Sequence, residues 1–453
     1  MALAFVLCIG TSGAAAAHAP PHATGIRWLG ERALVRTNRG FILQDESESS
    51  FRLLCNDATQ AALAEIPPVE VTSDGRLLTA TYAAGLVLSS ADHCSFSAVT
   101  ATLEDTIVRD LTVDSTGRFH AAVIPRDGSA SALLHSQDDG RRFDGQTLLA
   151  GIPTSVLVAP SDPMRVYVAA SVGDGDALSA KLQSSSDGGQ SFEEAPIELL
   201  TSELRAYVLA IDPRDSNRVF VRTESRDALL PERILFNDGI DGAFETVLET
   251  FGPISMGYDT DGVAWAGAAG GLYRFDDLER TFVAATSFDL SYVTCVAAHA
   301  GRLYVCGFHE NEFGVLVSSD RGASFEWFLR FPQVTARLDC PPTSDEGMSC
   351  EAAFLDWSQE QGLGTPMPAA GSGGEASSFA GSSGQAGGGA PASSSGGSNA
   401  SRPAAGRGCG VAPAPALTAH GLLSVLVASS VFFTRRRLRS YGARCHRAGH
   451  AAC

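Results

Sequence analysis

The sequence predicts an all-β fold, a seven-bladed β-propeller, followed by a disordered linker and one C-terminal transmembrane helix. Three observations carry this. An octapeptide of the form Ser-x-Asp-x-Gly-x-x-Phe recurs along the chain. Short apolar strands separated by turn-forming residues fill the spaces between its copies. A Gly/Ser-rich stretch then separates this body from a single apolar run flanked by arginines. With 44% hydrophobic residues, the 453-residue chain has ample material for a core.

The octapeptide appears three times in full: as Ser136, Asp138, Gly140 and Phe143; as Ser185, Asp187, Gly189 and Phe192; and as Ser318, Asp320, Gly322 and Phe325. Weaker copies end at Phe51, Phe96, Phe244 and Phe282, so successive phenylalanines stand 45, 47, 49, 52, 38 and 43 residues apart. A period of this size in a strand-rich chain is the signature of propeller blades. Between copies the elements follow one order. Strands at 156–158 and 166–168 straddle Ser161-Asp162-Pro163, and strands at 207–209 and 219–221 straddle Asp212-Pro213-Arg214, both strong turn formers. Segments 85–88, 271–273 and 314–317 read as third strands, and a fourth strand starts at each phenylalanine, as at 325–329. Four strands in seven repeats make seven blades. These repeats already supply every strand, so the segment beyond residue 340 is expected to cap the ring.

In a hairpin the octapeptide has a physical task. Its Asp accepts backbone N–H groups of the turn, its Gly takes a positive φ, and its aromatic packs back under the blade. It resembles the Asp-box, or BNR repeat, of sialidases and sortilin-type receptors. That resemblance implies a hairpin between third and fourth strands, away from the central channel, and makes Asp138, Asp187 and Asp320 structural rather than catalytic. Sialidase chemistry needs three arginines on a carboxylate, a tyrosine nucleophile with a Glu partner, and an acid. The family's early Phe-Arg-Ile-Pro-like motif is missing, the nearest stretch being Gly25-Ile26-Arg27-Trp28. No tyrosine lies between Tyr304 and Tyr441. Arg222, Arg226 and Arg233 read as solvated surface charges. The expected function is therefore a non-catalytic binding module for a protein or glycan partner, with a divergent sialidase-like glycoside hydrolase as the alternative.

Ten cysteines suit an exported, disulfide-bonded body. Cys295 and Cys306 flank the turn around Ala300-Gly301 at matching distances, which places them opposite one another across two strands. Cys340 and Cys350 bound a short Pro-rich loop and are expected to pair, and Cys55 and Cys94 are candidates to pair across neighbouring blades. No C-x-x-C spacing indicates zinc. The acidic turns at 173–176 and 259–262 lack the full calcium-loop spacing with its terminal glutamate and read as turns, and His309 to Glu312 reads as a loop. No cofactor or metal is implied.

Both ends carry addresses. Residues 1–19 combine an apolar stretch with Ala17-His18-Ala19, a small-x-small site expected of a signal peptide. The propeller and its cap are assigned to 20–361. From 362 to 408 the chain is dominated by Gly, Ser, Ala and Pro and cannot bury enough apolar area to order itself. Cys409 then precedes an uncharged apolar run from 411 to 433 and the cluster Arg435, Arg436, Arg437, long enough to span a bilayer with the arginines on the cytoplasmic side. This arrangement over 409–440 resembles the myxobacterial C-terminal sorting signal (MYXO-CTERM). The resemblance implies processing at Cys409 by a sortase-like membrane protease and an anchored protein on the outer surface of the cell envelope. Here the chain continues past the arginines, through 441–453, as a cytoplasmic tail with two more cysteines.

Charge closes off one class. Eight arginines and no acid lie from Arg402 onward, leaving 25 basic against 51 acidic residues, or −26, in the preceding chain. Such a body repels phosphate backbones, so no nucleic-acid partner is expected. Walker, G-x-S-x-G and H-E-x-x-H patterns are lacking in the body. The partners expected are the membrane, the processing protease and an unidentified protein or glycan, bound by a monomer.

Overall fold

The chain lays down its strands four at a time, each set closing as an antiparallel sheet before the next begins. The structure, a computed structural model, describes residues 20–363 apart from 47–49, 60–66, 100–102, 104, 174–177, 240–241, 253, 286–289 and 310–311. Blade 1 holds β1 (Ala23–Leu29), β2 (Arg32–Thr37), β3 (Gly40–Gln44) and β4 (Phe51–Cys55); blade 2 holds β5 (Val69–Val71), β6 (Leu77–Thr81), β7 (Gly85–Ser89) and β8 (Phe96–Ala98). Blade 3 holds β9 (Thr106–Val113), β10 (Phe119–Pro125), β11 (Ala132–Ser136) and β12 (Gly145–Leu148). Blade 4 holds β13 (Ile152–Ala159), β14 (Asp162–Val172), β15 (Ser179–Ser185) and β16 (Glu193–Ile197). Blade 5 holds β17 (Glu203–Ile211), β18 (Val219–Ser225), β19 (Glu232–Asn237) and β20 (Glu245–Thr250). Blade 6 holds β21 (Ser255–Tyr258), β22 (Ala264–Ala268), β23 (Gly271–Asp276) and β24 (Thr281–Ala284). Blade 7 holds β25 (Ser291–His299), β26 (Arg302–His309), β27 (Glu312–Ser318) and β28 (Glu326–Arg330). The chain is a seven-bladed β-propeller.

Each first strand touches the first strand of the next blade, and β25 touches β1, so the ring is closed. Because a blade is covered on both faces, its inner strands are apolar almost continuously: all five residues of β3 and of β6 are buried. The outer strand β12 instead alternates half-buried and exposed residues. The cores lie between blades. Phe51, Phe96, Phe143, Phe192, Phe244, Phe282 and Phe325 stand within two residues of a fourth strand's first residue. Each packs into the apolar cluster shared with the preceding blade, rather than under its own.

Hydroxyls tie the innermost strands where sheet pairing stops. Thr154 donates to the Ala206 carbonyl at 2.5 Å, joining blades 4 and 5, and Thr294 donates to the Ala23 carbonyl at 2.6 Å, joining blades 7 and 1. The closing seam is thus built like an internal one, the four strands of blade 1 and the four of blade 7 each being consecutive in the chain. A cap reinforces it. β29 (Ala336–Arg337) runs parallel to β4 as a fifth strand, and helix α1 (Asp345–Glu360) follows, with Ser344 capping its first turn by accepting the Gly347 N–H. Phe354 and Trp357 of α1 enter the same cluster as Phe51, Tyr304 and Phe331 at the blade 7–blade 1 seam.

The disulfides follow this geometry. Cys295 and Cys306 are paired opposite one another on β25 and β26. The expected Cys340–Cys350 bridge is not formed, nor is Cys55–Cys94: Cys350 joins Cys55 and Cys340 joins Cys94. The reason is local. The segment after Cys340 turns into a helix rather than a hairpin, so Cys340 faces blade 2 while Cys350 on α1 faces the end of β4. Among the described residues no helix is long and apolar enough to cross a membrane. The segment expected to be a signal peptide, the expected linker from 364 onward, Cys409, the apolar run and Arg435, Arg436 and Arg437 lie outside the described residues.

Candidate functional site

Every blade has two ends. First-to-second and third-to-fourth turns share one, termed the box end; second-to-third turns and the connections between blades share the other, termed the loop end. The three full octapeptides occupy box-end hairpins and are separate from one another. In the first, Ser136 donates to Asp138 at 2.8 Å and accepts the Gly140 N–H, while Asp138 also accepts the Arg142 N–H. In the second, Asp187 accepts from Ser185, Gln190 and Ser191. In the third, Asp320 accepts from the Ser318 hydroxyl and from both N–H and hydroxyl of Ser324. Hydrogen bonds from the Ser324 hydroxyl, its N–H and Ser318 pull the Asp320 carboxyl down to about 2. Gly140, Gly189 and Gly322 all have φ between 76° and 85°. A Cβ on them would fall within 2.9 Å of Leu78, of His135 and Leu133, and of Trp265 respectively, each in the preceding blade. The hairpins are therefore clasps between blades, and their carboxylates are spent on turns.

A first polar centre lies on the innermost strands of blades 1 to 3. Arg27 of β1 reaches Glu70 of β5 through Nε and Nη2 at 2.9–3.1 Å. Asp110 of β9 accepts the N–H groups of Leu111 and, on the neighbouring blade 4, Val156. Burial pushes the Asp110 carboxyl up to about 6 against those bonds. Arg36 of β2, held by Thr24 and the Pro67 carbonyl, is pulled down to about 10 by burial and by Arg27.

A second centre lies on blade 5. The alternations Arg205-Ala206-Tyr207 and Arg222-Thr223-Glu224, with Arg205 opposite Glu224 and Tyr207 opposite Arg222, put four polar side chains on one face of β17 and β18. Tyr207 donates to Glu224 at 2.5 Å, Arg205 stands 3.8 Å from Glu224, and Arg222 stands 3.8 Å from Glu232 and 4.5 Å from the centre of the Tyr207 ring. Burial, with the Glu224 hydrogen bond, raises the phenol's pKa; burial likewise raises that of Glu232. Arg222 and Arg233 are therefore not solvated surface charges. Arg233 pairs at 2.7 Å with Glu203, a carboxylate 1% exposed, and Arg226 donates to the Glu203 carbonyl. Strand alternation was the signal for this centre, readable once the bulged β17–β18 register is known.

The other candidates resolve simply. Asp259 accepts the Asp261 and Val263 N–H groups and the Trp265 indole, so it completes a turn. The turn at 173–176 and the segment between His309 and Glu312 fall partly outside the described residues. No group of three or more metal-ligating side chains occurs among the described residues. An open groove of about 630 Å³ beside blade 3 is lined by Asp105, Arg126, Asp127 and Phe143.

Neither a protein-family model nor a curated protein matches the chain. Among solved structures it is similar to a Mycobacterium tuberculosis puromycin-hydrolyzing peptidase, at 11% identity and TM-score 0.48 over 71% of this chain and 54% of that one. It is similar to Kuenenia stuttgartiensis hydrazine synthase, at 10% and 0.48 over 68% and 99%. It is also similar to a GH74 xyloglucanase from Xanthomonas campestris, at 14% and 0.37 over 68% and 45%. The chain spans about half the length of the first of these. At such identities and TM-scores the likeness carries no argument about what this chain does.

Proposed function

We propose that this protein is an exported, surface-anchored Asp-box propeller that binds a protein or glycan partner without catalysis. One observation carries the reading: three arginines of blade 5 already face carboxylates of the same blade, Arg205 with Glu224, Arg222 with Glu232 and Arg233 with Glu203. A sialidase needs its arginines free to clamp a substrate carboxylate, and these are committed. Export is supported by the body's six cysteines, all in disulfides, which suits an oxidising compartment. Cys409 is then the first thiol after the body, and the tail from 409 to 440 acts as a myxobacterial-type sorting signal. The test is Cys409→Ala, followed by fractionation with an antibody to the propeller. The variant is expected to remain in the inner membrane at full length; normal amounts on the cell surface would overturn the sorting reading. Binding itself is tested by glycan-array and partner capture with the displayed protein.

One observation favours the hydrolase alternative. Tyr207 against Glu224 has the geometry of a nucleophile with its base, and Glu232, its pKa raised by burial, has the character of an acid. Fluorogenic sialosides and β-glycosides decide. The non-catalytic reading expects no turnover; turnover abolished by Tyr207→Phe would establish the alternative.

A further inference from the structure

Exposed large apolar side chains are unevenly distributed between the two ends of the ring. Tyr82, Leu148, Ile152, Leu200, Leu229, Leu230, Phe251 and Tyr292 are exposed at or beside loop-end connections, against Met164 and Leu278 at the box end. Box-end turns instead carry Asp and Arg in abundance, as at Asp114, Asp138, Asp212 and Arg218. The apolar residues are densest on blade 5. Its three loop-end segments present Leu200 before β17, Leu229 and Leu230 between β18 and β19, and Phe251 after β20; Leu229 is 69% exposed and Phe251 53%.

The two loops that carry the leucines are held in place by backbone hydrogen bonds. Glu203 lies beneath them and is almost fully buried. It accepts the Leu200 N–H at 2.7 Å, pairs with Arg233, and through its carbonyl accepts Arg226 Nε. Arg226 N–H in turn bonds the Ser202 carbonyl, Asp227 accepts the Leu229 N–H, and Ser225 bonds the Pro231 carbonyl. Both loops are thereby fixed to one buried ion pair. Burying a charge is costly unless it is fully partnered, and here the partnering orders loops whose tips hold leucines in water. Ordering a surface before contact lowers the entropic cost of binding, which is the use such an arrangement has.

We propose that the loop end of blade 5 is a docking surface for a protein partner that presents aliphatic side chains flanked by Lys or Arg. This rests on the binding-module reading and assigns its site. The apolar contact follows from the leucines; a glycan would call for aromatic platforms, and three of these four residues are aliphatic. The basic flank follows from charge. Glu198, Asp227 and Glu249 are exposed around the row against one exposed arginine, Arg226, and the whole body carries a strong acidic excess that steers cations inward and repels anionic lipid.

The experiment uses the full chain in phosphatidylcholine nanodiscs, which cover its apolar run at 411–433, and three probes: a peptide alternating Leu and Lys, its Leu–Glu counterpart, and vesicles containing phosphatidylglycerol. The Leu–Lys peptide is expected to bind, at least ten-fold more weakly to Leu229→Ser/Phe251→Ser, and unchanged to Leu278→Ser, a residue 94% exposed at the box end. The Leu–Glu peptide and the vesicles are expected not to bind. Equal affinity for the double variant and the parent overturns the site. Binding of vesicles or the Leu–Glu peptide through Leu229 overturns the partner's chemistry. A partner captured by the displayed protein and unaffected by the double variant leaves the binding-module reading standing and removes this site from it.

Discussion

At the residue scale, the box glycines separate two costs that usually come together. Gly322 and Gly301 have the same φ, 78°, but a Cβ on Gly322 would lie 2.7 Å from the Trp265 ring, whereas nothing lies within 4 Å of one on Gly301. Alanine in the left-handed region costs about 1–2 kcal/mol at either site. Overlap with a packed ring adds about 1–3 kcal/mol at Gly322 alone. Denaturant titration is expected to show Gly322→Ala clearly less stable than Gly301→Ala; equal losses would mean the hairpin does not clasp blade 6. The need for glycine was legible in the octapeptide, because a tight turn ending in Gly implies a positive φ. The contact was not, since Trp265 precedes Gly322 by more than a blade. The same distance hid the partners of Cys340 and Cys350: neighbours in sequence suggested a loop closure, and the helix between them sent each elsewhere.

Elements add a pH dependence. The hairpin of β10 and β11 sets His120 opposite His135, with their Nδ1 atoms 3.1 Å apart. Asp114, in the β9–β10 turn, stands 3.2 Å from His120 Nε2. The Gly189 hairpin of blade 4 covers the far side. Burial, then Arg118 and His120, pull the His135 imidazole down to about 4. The unfolded chain binds a proton near 6.5, so the stability tied to His135 is complete above that value and is lost as pH falls from about 6.5 to 4. The loss is on the order of 2–3 kcal/mol. His135→Gln is expected to flatten urea midpoints measured between pH 7.5 and 4.5. An unchanged slope would assign the acid sensitivity to other groups. The strands themselves were legible from apolar runs and turn formers; the histidine pair was not, because it depends on the exact length of the β10–β11 turn.

For the whole molecule, the question is what keeps the ring shut when the only strand carried from one end to the other among the described residues is the two-residue β29 on the outer edge of blade 1. The blade 7–blade 1 seam has the same hydroxyl tie as an internal seam, Thr294 to Ala23, and an interblade core of its own. What distinguishes it is the cap. Trp357 is 1% exposed, donates its indole N–H to the Val334 carbonyl at 3.3 Å, and packs on Phe331 at 5.2 Å. Disulfides to Cys55 and Cys94 then fix the cap to blades 1 and 2, with sequence separations of 295 and 246. Those bridges tie the segment that follows blade 7 covalently to blades 1 and 2; Trp357, buried with residues of both flanking blades, adds the apolar contact at the seam itself. Trp357→Ala is expected to cost about 3–5 kcal/mol, the usual range for removing a buried tryptophan. The loss should be localised. Hydrogen exchange is expected to quicken in β1 and β25, the strands on either side of the seam, and to stay slow in β13, whose neighbours are untouched. Faster exchange spread evenly over all seven blades would mean that the ring unfolds as one unit and that the cap supports it generally. Exchange confined to α1 would mean that the seam closes without it.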